Sequence, residues 1–500
     1  MTDKLTARIA AAIKEYAPSI LAALAAGLAA YLFAFTNKLL NLDEIAGLFA
    51  KGESISSGRW ALALTSFLFP DVSMPWINGL LSLLMLTAAA CLTVRIFEIK
   101  SPVLRVLLPA LIVTFPSQAV TFTYMFTCAP YALAVLLAVA SVYATLTHGK
   151  RGFIAGLIML CLSLGIYQAY LAIATSLYVV YLIKRVIDDE WSTREVISCG
   201  LKCLAALVAA LALYFVVNKL VMAATHTDYN SYADASFQTD IKSLLFGVRV
   251  AFTAFLGYFY KGYYHLIPNG FSMLLHAVCL VVVAVELLRY LVQSVKRGQR
   301  ARAALLVLLL LLVPLAVNCL YIISAQRHTL MLYSFAAVYV LAAVAAERLM
   351  TGKHAAARDI MSVALALIAC VNIFWANRLY LKMKLEYENA YSFYSTLVTR
   401  IKSTPGYDAD DMIYITGDAH ELMHSADEID TSDLVGVMEG LVNVYSRADF
   451  IKYYTGFDMP EFDWALWDAS GAGDCVDDMP IYPYDGSVKK VDNFIIVKLG

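Results

Sequence analysis

The sequence predicts an all-α polytopic membrane protein of about eleven transmembrane helices with a small C-terminal α/β soluble domain, dividing at residues 1–380 and 381–500. Three observations predict it. Of the 500 residues 61% are hydrophobic and 15% charged, with a mean hydropathy of +0.68, far above a soluble domain. Apolar runs recur at about 20 residues, the length that crosses the hydrocarbon core of a bilayer. From about Leu381 that length is lost, acidic residues outnumber basic ones, and turn signals such as Pro405-Gly406, Gly471-Ala472-Gly473 and Asp485-Gly486 appear.

Nine runs stand alone, at 17–36, 75–94, 103–121, 129–147, 198–222, 271–292, 303–323, 330–350 and 360–380. A tenth stretch, 153–187, is too long for one crossing and breaks at Gly165-Ile166-Tyr167-Gln168, giving two short helices that meet at a polar, aromatic corner. Past residue 381, strand-like runs at 412–416 and 493–499 bracket helical patterns near 433–446 and 448–454, which makes the terminal domain α/β. There is no internal repeat and no low-complexity stretch. Lys4, Arg8 and Lys14 precede the first run without a small-residue cleavage site, the pattern of an uncleaved signal anchor.

Basic residues fall in short clusters between the runs, and cytoplasmic loops are the ones enriched in Lys and Arg. The segment 244–265 is interrupted by Arg249, Lys261 and His265. If it crossed, the cluster from Arg289 to Arg302 would face outward. As an interfacial or re-entrant helix it keeps that cluster inside with Arg95/Lys100/Arg105, Lys184/Arg185 and Arg348/Lys353/Arg358. The expected protein is therefore a multi-pass protein of the cell membrane with its N-terminus cytoplasmic and its C-terminal domain extracytoplasmic. The loop at Asp43, Tyr124, the Tyr167 corner and the turn at Arg327 then share the outer side.

A net charge of −1, with the acids crowded into the last quarter, excludes nucleic acid as a partner. Six of the nine cysteines lie in or beside apolar runs, and Cys199 and Cys203 flank the start of another. With no second pair or histidine nearby they read as packing residues, and no disulfide framework or metal site follows. His226 with Asp228 is too small a set for a metal, and Asp408, Asp410 and Asp411 match no ion-loop spacing, so a solvated acidic face is expected there.

Within a few residues of the first run come two adjacent carboxylates, Asp43 and Glu44. Either can take a proton from an attacking hydroxyl, the service that transfer of a sugar onto an alcohol requires, although a loop leaving a membrane is also acidic because it is wet. Arg59, between Gly58 and Trp60, can hold a phosphate or, with Trp60, serve as an interfacial anchor. Tyr167, Gln168 and Tyr170 sit where two helices turn, and polar groups at that depth must find partners, either backbone or a sugar. Arg327 and His328 place charge in an outer turn where basic residues are otherwise sparse, which suits a lipid phosphate head. Arg249 and Lys261, with Tyr260, Tyr263, Tyr264 and His265, form a face that anchors at headgroups first and contacts phosphate second.

Asp43-Glu44, then Ser57-Gly58-Arg59-Trp60, then Tyr167-Gln168-Ala169-Tyr170 resemble the bacterial GtrII-type glucosyltransferase family in order and character, over about residues 17–380. The resemblance implies a GT-C-like fold and transfer of a hexose, glucose in particular, from a polyprenyl-phosphate sugar to a surface glycan on the extracytoplasmic side. It implies an inverting single displacement with Asp43 as base and Glu44 as its neighbour. Arg327, Arg59, His328, Arg249 and Lys261 would then meet the donor phosphate, and Trp60, Tyr167, Gln168, Tyr170 and Tyr124 the sugar or acceptor. A lipid-linked donor needs no metal or other cofactor, and the partners are that donor, the glycan and membrane lipid. A transporter or flippase of lipid-linked sugars is the rival reading. It calls for mid-membrane charges and internal repeats, which the runs do not offer. A mere anchor for the acidic domain would not need eleven spans.

Overall fold

The computed structural model describes residues 2–48, 54–69, 72–230, 240–260, 270–323, 328–419, 422 and 441–500. It forms two compact units, one of residues 1–37 and 51–377, the other of residues 38–50 and 378–500. The short segment 38–50, drawn from the first interhelical loop, thus belongs with the C-terminal unit.

The first unit is a helical bundle. Among the described residues twelve helices are long and apolar enough to cross a membrane, and the protein is a multi-pass membrane protein. Prolines open two of them, Pro75 and Pro102, and within the second Pro116 opens the short helix Pro116–Thr121; each stands in a first turn where a missing N–H costs nothing. Ser192 and Glu195 close a reciprocal capping box at the start of Thr193–Thr225. The long stretch predicted to break does so: Gly149–Ile166 ends, Tyr167 is extended, and a short 3₁₀ turn Gln168–Tyr170 leads into Leu171–Ile187.

The twelfth candidate is the doubtful segment, now a continuous helix Ile241–Tyr260 opened by Asp240, whose carboxylate accepts from Ser243 N at 2.9 Å. Its composition satisfies the length of a crossing, but its contacts show how far it runs. Gly247 lies against the backbone of Tyr321 and Ile322, and Ala251 O accepts from Asn318 Nδ2 at 2.9 Å. Its last turn packs Tyr258 on Phe335 and Phe115, and Phe259 on His276. His276 is thirteen residues from Arg289 and Phe335 thirteen from Arg348, about 20 Å at 1.5 Å per residue. The contacts of its last turn therefore lie about 20 Å along these helices from those arginines.

That end collects the charges. Buried Lys184 donates to Glu98 at 3.0 Å and to Asp188 at 2.6 Å, and Arg348 Nε lies 3.1 Å from Asp188. Arg185 bonds Glu98 at 3.2 Å, Arg302 bonds Asp189, and Arg289 meets His354. Partial burial opposes ionisation of Glu98, but the hydrogen bond and charge of Lys184, with Arg185 and Arg348, hold its carboxyl below the usual range. The cluster 289–302 and the loops after residues 96 and 187 therefore share one end of the bundle, as the charge pattern expects.

The second unit is built on a three-stranded sheet, β1 (Met412–Thr416), β2 (Val488–Val491) and β3 (Phe494–Lys498), in the order β1-β3-β2. The central β3 runs parallel to β1 and antiparallel to β2. Being covered on both faces, β3 reads as the unbroken apolar run Phe494-Ile495-Ile496-Val497. β2 was not legible in the sequence, because Val-Lys-Lys-Val is a short edge strand whose two central residues are lysines, Lys489 exposed and Lys490 half-buried. On one face Ile413, Ile495 and Val497 pack with Leu397, Ile401, Phe450, Leu40 and Ile45; on the other Phe494 and Ile496 pack with Trp467 and Met479. The helical pattern at 433–446 lies almost wholly outside the described residues, while 448–454 is a short helix Arg447–Phe450 continued by a wider turn. Asp411 corrects one expectation: it is buried, accepting from Asp408 N at 2.6 Å and Lys490 at 2.8 Å. It closes a turn and pairs with a lysine instead of lining a solvated face.

Candidate functional site

The arrangement begins at Gly58. Its φ of +72° is left-handed, and a Cβ there would lie 2.8 Å from Tyr214 Oη and 2.9 Å from Gln168 Nε2. Only glycine lets the two polar groups come so close. Gln168 Nε2 donates to Ser57 O at 2.9 Å and to Tyr214 Oη at 3.0 Å, and Tyr214 Oη donates to Gly58 O at 3.0 Å. Asn230 fastens the other side, its N–H to Ser56 O at 3.1 Å and Nδ2 to Ser57 Oγ at 3.1 Å. A backbone carbonyl and a phenol are thus the partners of the Gln168 amide.

This turn delivers Arg59. Its Nη1 donates to Tyr131 Oη at 3.2 Å, and the guanidinium lies over the Tyr167 ring, 5.3 Å from its centroid. Tyr131 and Tyr167 stack at 4.7 Å, and Tyr170 meets both edge-on, at 6.3 and 5.1 Å. A stacked, hydrogen-bonded guanidinium is oriented before any ligand arrives. His328 is half-buried in the same region. Burial first, and then the charge of Arg59, push its pKa below the ordinary histidine value. A neutral imidazole beside a cation can donate one N–H to an anion and can charge when one binds.

Tyr170 and Trp60 are buried, as are Tyr131 and Tyr167. Trp60 is 7% exposed, its ring pressed on Gly165, where a Cβ would come within 2.6 Å of the indole. Tyr124 is buried at the start of Met125–Thr147, two turns before Tyr131. Arg249 lies on Ile241–Tyr260, outside the contacts just described. Arg327 and Lys261 lie outside the described residues, as do Tyr263, Tyr264 and His265. Tyr131, Tyr214 and Asn230 were not anticipated: the two tyrosines sit inside apolar runs, and only hydroxyls at membrane depth needing partners hint at them.

The two carboxylates belong to the second unit and differ from each other. Asn41 caps the helix Leu42–Ala46 by accepting from Glu44 N at 2.7 Å. Glu44 is fully buried and paired with Lys38, and its charge helps raise the Tyr454 pKa after burial has done most. Asp43 is half-buried, with Tyr445 near enough that its hydroxyl is pushed up by burial and then by the Asp43 charge. Glu44 is a committed ion-pair partner, and Asp43 is the carboxylate with access to solvent.

In comparison with known proteins, residues 32–346 match the family model described as Glucosyl transferase GtrII. No curated protein and no solved structure matches. The matched range contains the acid pair, the Gly58 turn, the Tyr167 corner and His328, and it ends before the C-terminal residues 378–500.

Proposed function

The chain belongs to the GtrII glucosyl transferase family, and from that premise we propose that it moves a hexose, glucose in the first instance, from a polyprenyl phosphate to a surface glycan. The observation that carries this reading is the pre-oriented Arg59 guanidinium with His328 beside it and an aromatic wall of Tyr131 and Tyr167 behind. Guanidinium and imidazole suit a phosphate oxygen, and the cluster lies in the first unit toward the end away from its charged loops. By the positive-inside rule those loops are cytoplasmic, so the cluster faces the extracytoplasmic side.

The reaction is a single displacement. The acceptor oxygen forms a bond to the anomeric carbon as the bond from that carbon to the phosphate oxygen breaks, and the acceptor proton passes to Asp43. Arg59 and His328, joined by Arg327, meet the charge that develops on the departing phosphate. Glu44, held by Lys38, keeps the short helix that presents Asp43. The leaving group is a single phosphate, whose charge these residues can answer without a metal.

The test is transfer from polyprenyl-phosphate [14C]glucose by the purified protein in nanodiscs, with delipidated cell-surface glycan as acceptor. Labelled glycan is expected. Absence of both transfer and hydrolysis of the lipid-linked sugar, with a nucleotide sugar consumed instead, would overturn the reading.

A further inference from the structure

The second unit carries an aromatic surface that the displacement chemistry does not use. Trp464 is 62% exposed, an unusual position for the largest side chain. It is held from behind by Phe462, 4.7 Å away and edge-on, and by Tyr414 at 6.3 Å. Tyr414 in turn lies on Trp467 at 4.3 Å, whose ring closes one face of the sheet. The indole is thus a rigid exposed platform and not a loose side chain. It begins the helix Trp464–Ser470, which Asp463 caps by accepting from Ala465 N and Leu466 N. Asp468 is four residues on, on the same helix face, and exposed, as is Glu461 on the approach.

Charge narrows the choice of occupant. Residues 453–488 contain eight carboxylates and no lysine, arginine or histidine; Asp458 pairs with Lys452 and Asp485 with Arg400, and the acids flanking Trp464 make a poor seat for anionic headgroups, which bind instead to basic segments. A neutral sugar is the complementary ligand. The C–H face of a pyranose covers an indole, and its hydroxyls donate to carboxylates that can only accept. From this geometry we infer that Trp464, with Asp468 and Glu461 beside it, is a carbohydrate-binding platform that holds a neutral stretch of the acceptor glycan. The inference rests on the reading that the acceptor is a glycan, and it assigns the C-terminal unit the task of gripping that glycan.

The experiment uses the full chain in nanodiscs and delipidated cell-surface glycan. Trp464→Ala is expected to weaken glycan binding at least tenfold and to raise the acceptor KM by a similar factor, with kcat and donor KM within about twofold. Trp464→Phe should fall between, and Asp468→Asn should weaken binding several-fold. Unchanged binding and acceptor KM in Trp464→Ala would overturn the platform. So would a Trp464 fluorescence that shifts on adding phosphatidylglycerol to the nanodisc and ignores glycan, which would mark a membrane anchor. Glycan binding is read without donor, so a protein that binds glycan through Trp464 but transfers nothing would refute the proposed reaction and leave the platform standing.

Discussion

Arg59 Nη1 donates a hydrogen bond to Tyr131 Oη at 3.2 Å, across 72 residues of chain. The phenol faces a cation that also rests on the Tyr167 ring, so a helix, the corner between two others and a loop orient one guanidinium. That costs side-chain entropy in advance of binding, and a ligand that uses the guanidinium is spared it.

Arg59→Lys should keep part of the affinity for polyprenyl-phosphate glucose, and Arg59→Ala should lose on the order of 100-fold, because a planar fork gives two parallel bonds and an ammonium one point charge. Protein level should be unchanged in both. Binding to purified variants decides it, and wild-type affinity in Arg59→Ala refutes the assignment.

Gly58→Ala should cost about 1–3 kcal/mol through the left-handed backbone and the clash with Tyr214 Oη and Gln168 Nε2. Adding Tyr214→Phe removes one clashing atom and should restore part of the loss. Thermal unfolding in detergent compares the single and double variants; a Gly58→Ala protein as stable as wild type would show that the turn relaxes freely.

The carboxylates should separate. Asp43→Asn is expected to abolish transfer with normal insertion and thermal stability. Glu44→Gln leaves Lys38 without its buried partner and should lower stability by on the order of 2 kcal/mol, reducing activity only as far as the unit loosens. Full activity in Asp43→Asn removes it as the base.

His328 should make the protein without donor less stable in mild acid. Its folded pKa is depressed, so between the ordinary value of about 6.5 and that lower folded value the unfolded chain binds more protons, and stability falls as pH drops through this window. Donor binding should move the other way, since a protonated imidazole adds charge beside Arg59. His328→Gln should flatten both trends; unfolding temperature and donor affinity between pH 7 and 5 are the measurements.

Topology is open to labelling. In a cysteine-free background, a cysteine at Gly471 should react with an impermeant reagent added from outside, and one at Gln299 should not. The reverse pattern would place the charged end of the bundle outside.

How much of this the sequence could disclose follows from the range of the forces involved. Apolar length, the break at Tyr167, the gathering of basic loops at one end and the order of the three short motifs are properties of contiguous residues, because a bilayer tests each segment by itself. Only the tertiary structure decided that Gly58 must be glycine, that Gln168 is bound by backbone and a phenol, and that Trp60 and Tyr170 are buried. It also separated two neighbours that looked alike, burying Glu44 against Lys38 and leaving Asp43 partly open. The reason is that burial and pairing are set by residues distant in the chain. Tyr131 and Tyr214, 72 and 156 residues from the groups they hold, leave no mark on the local pattern around Arg59.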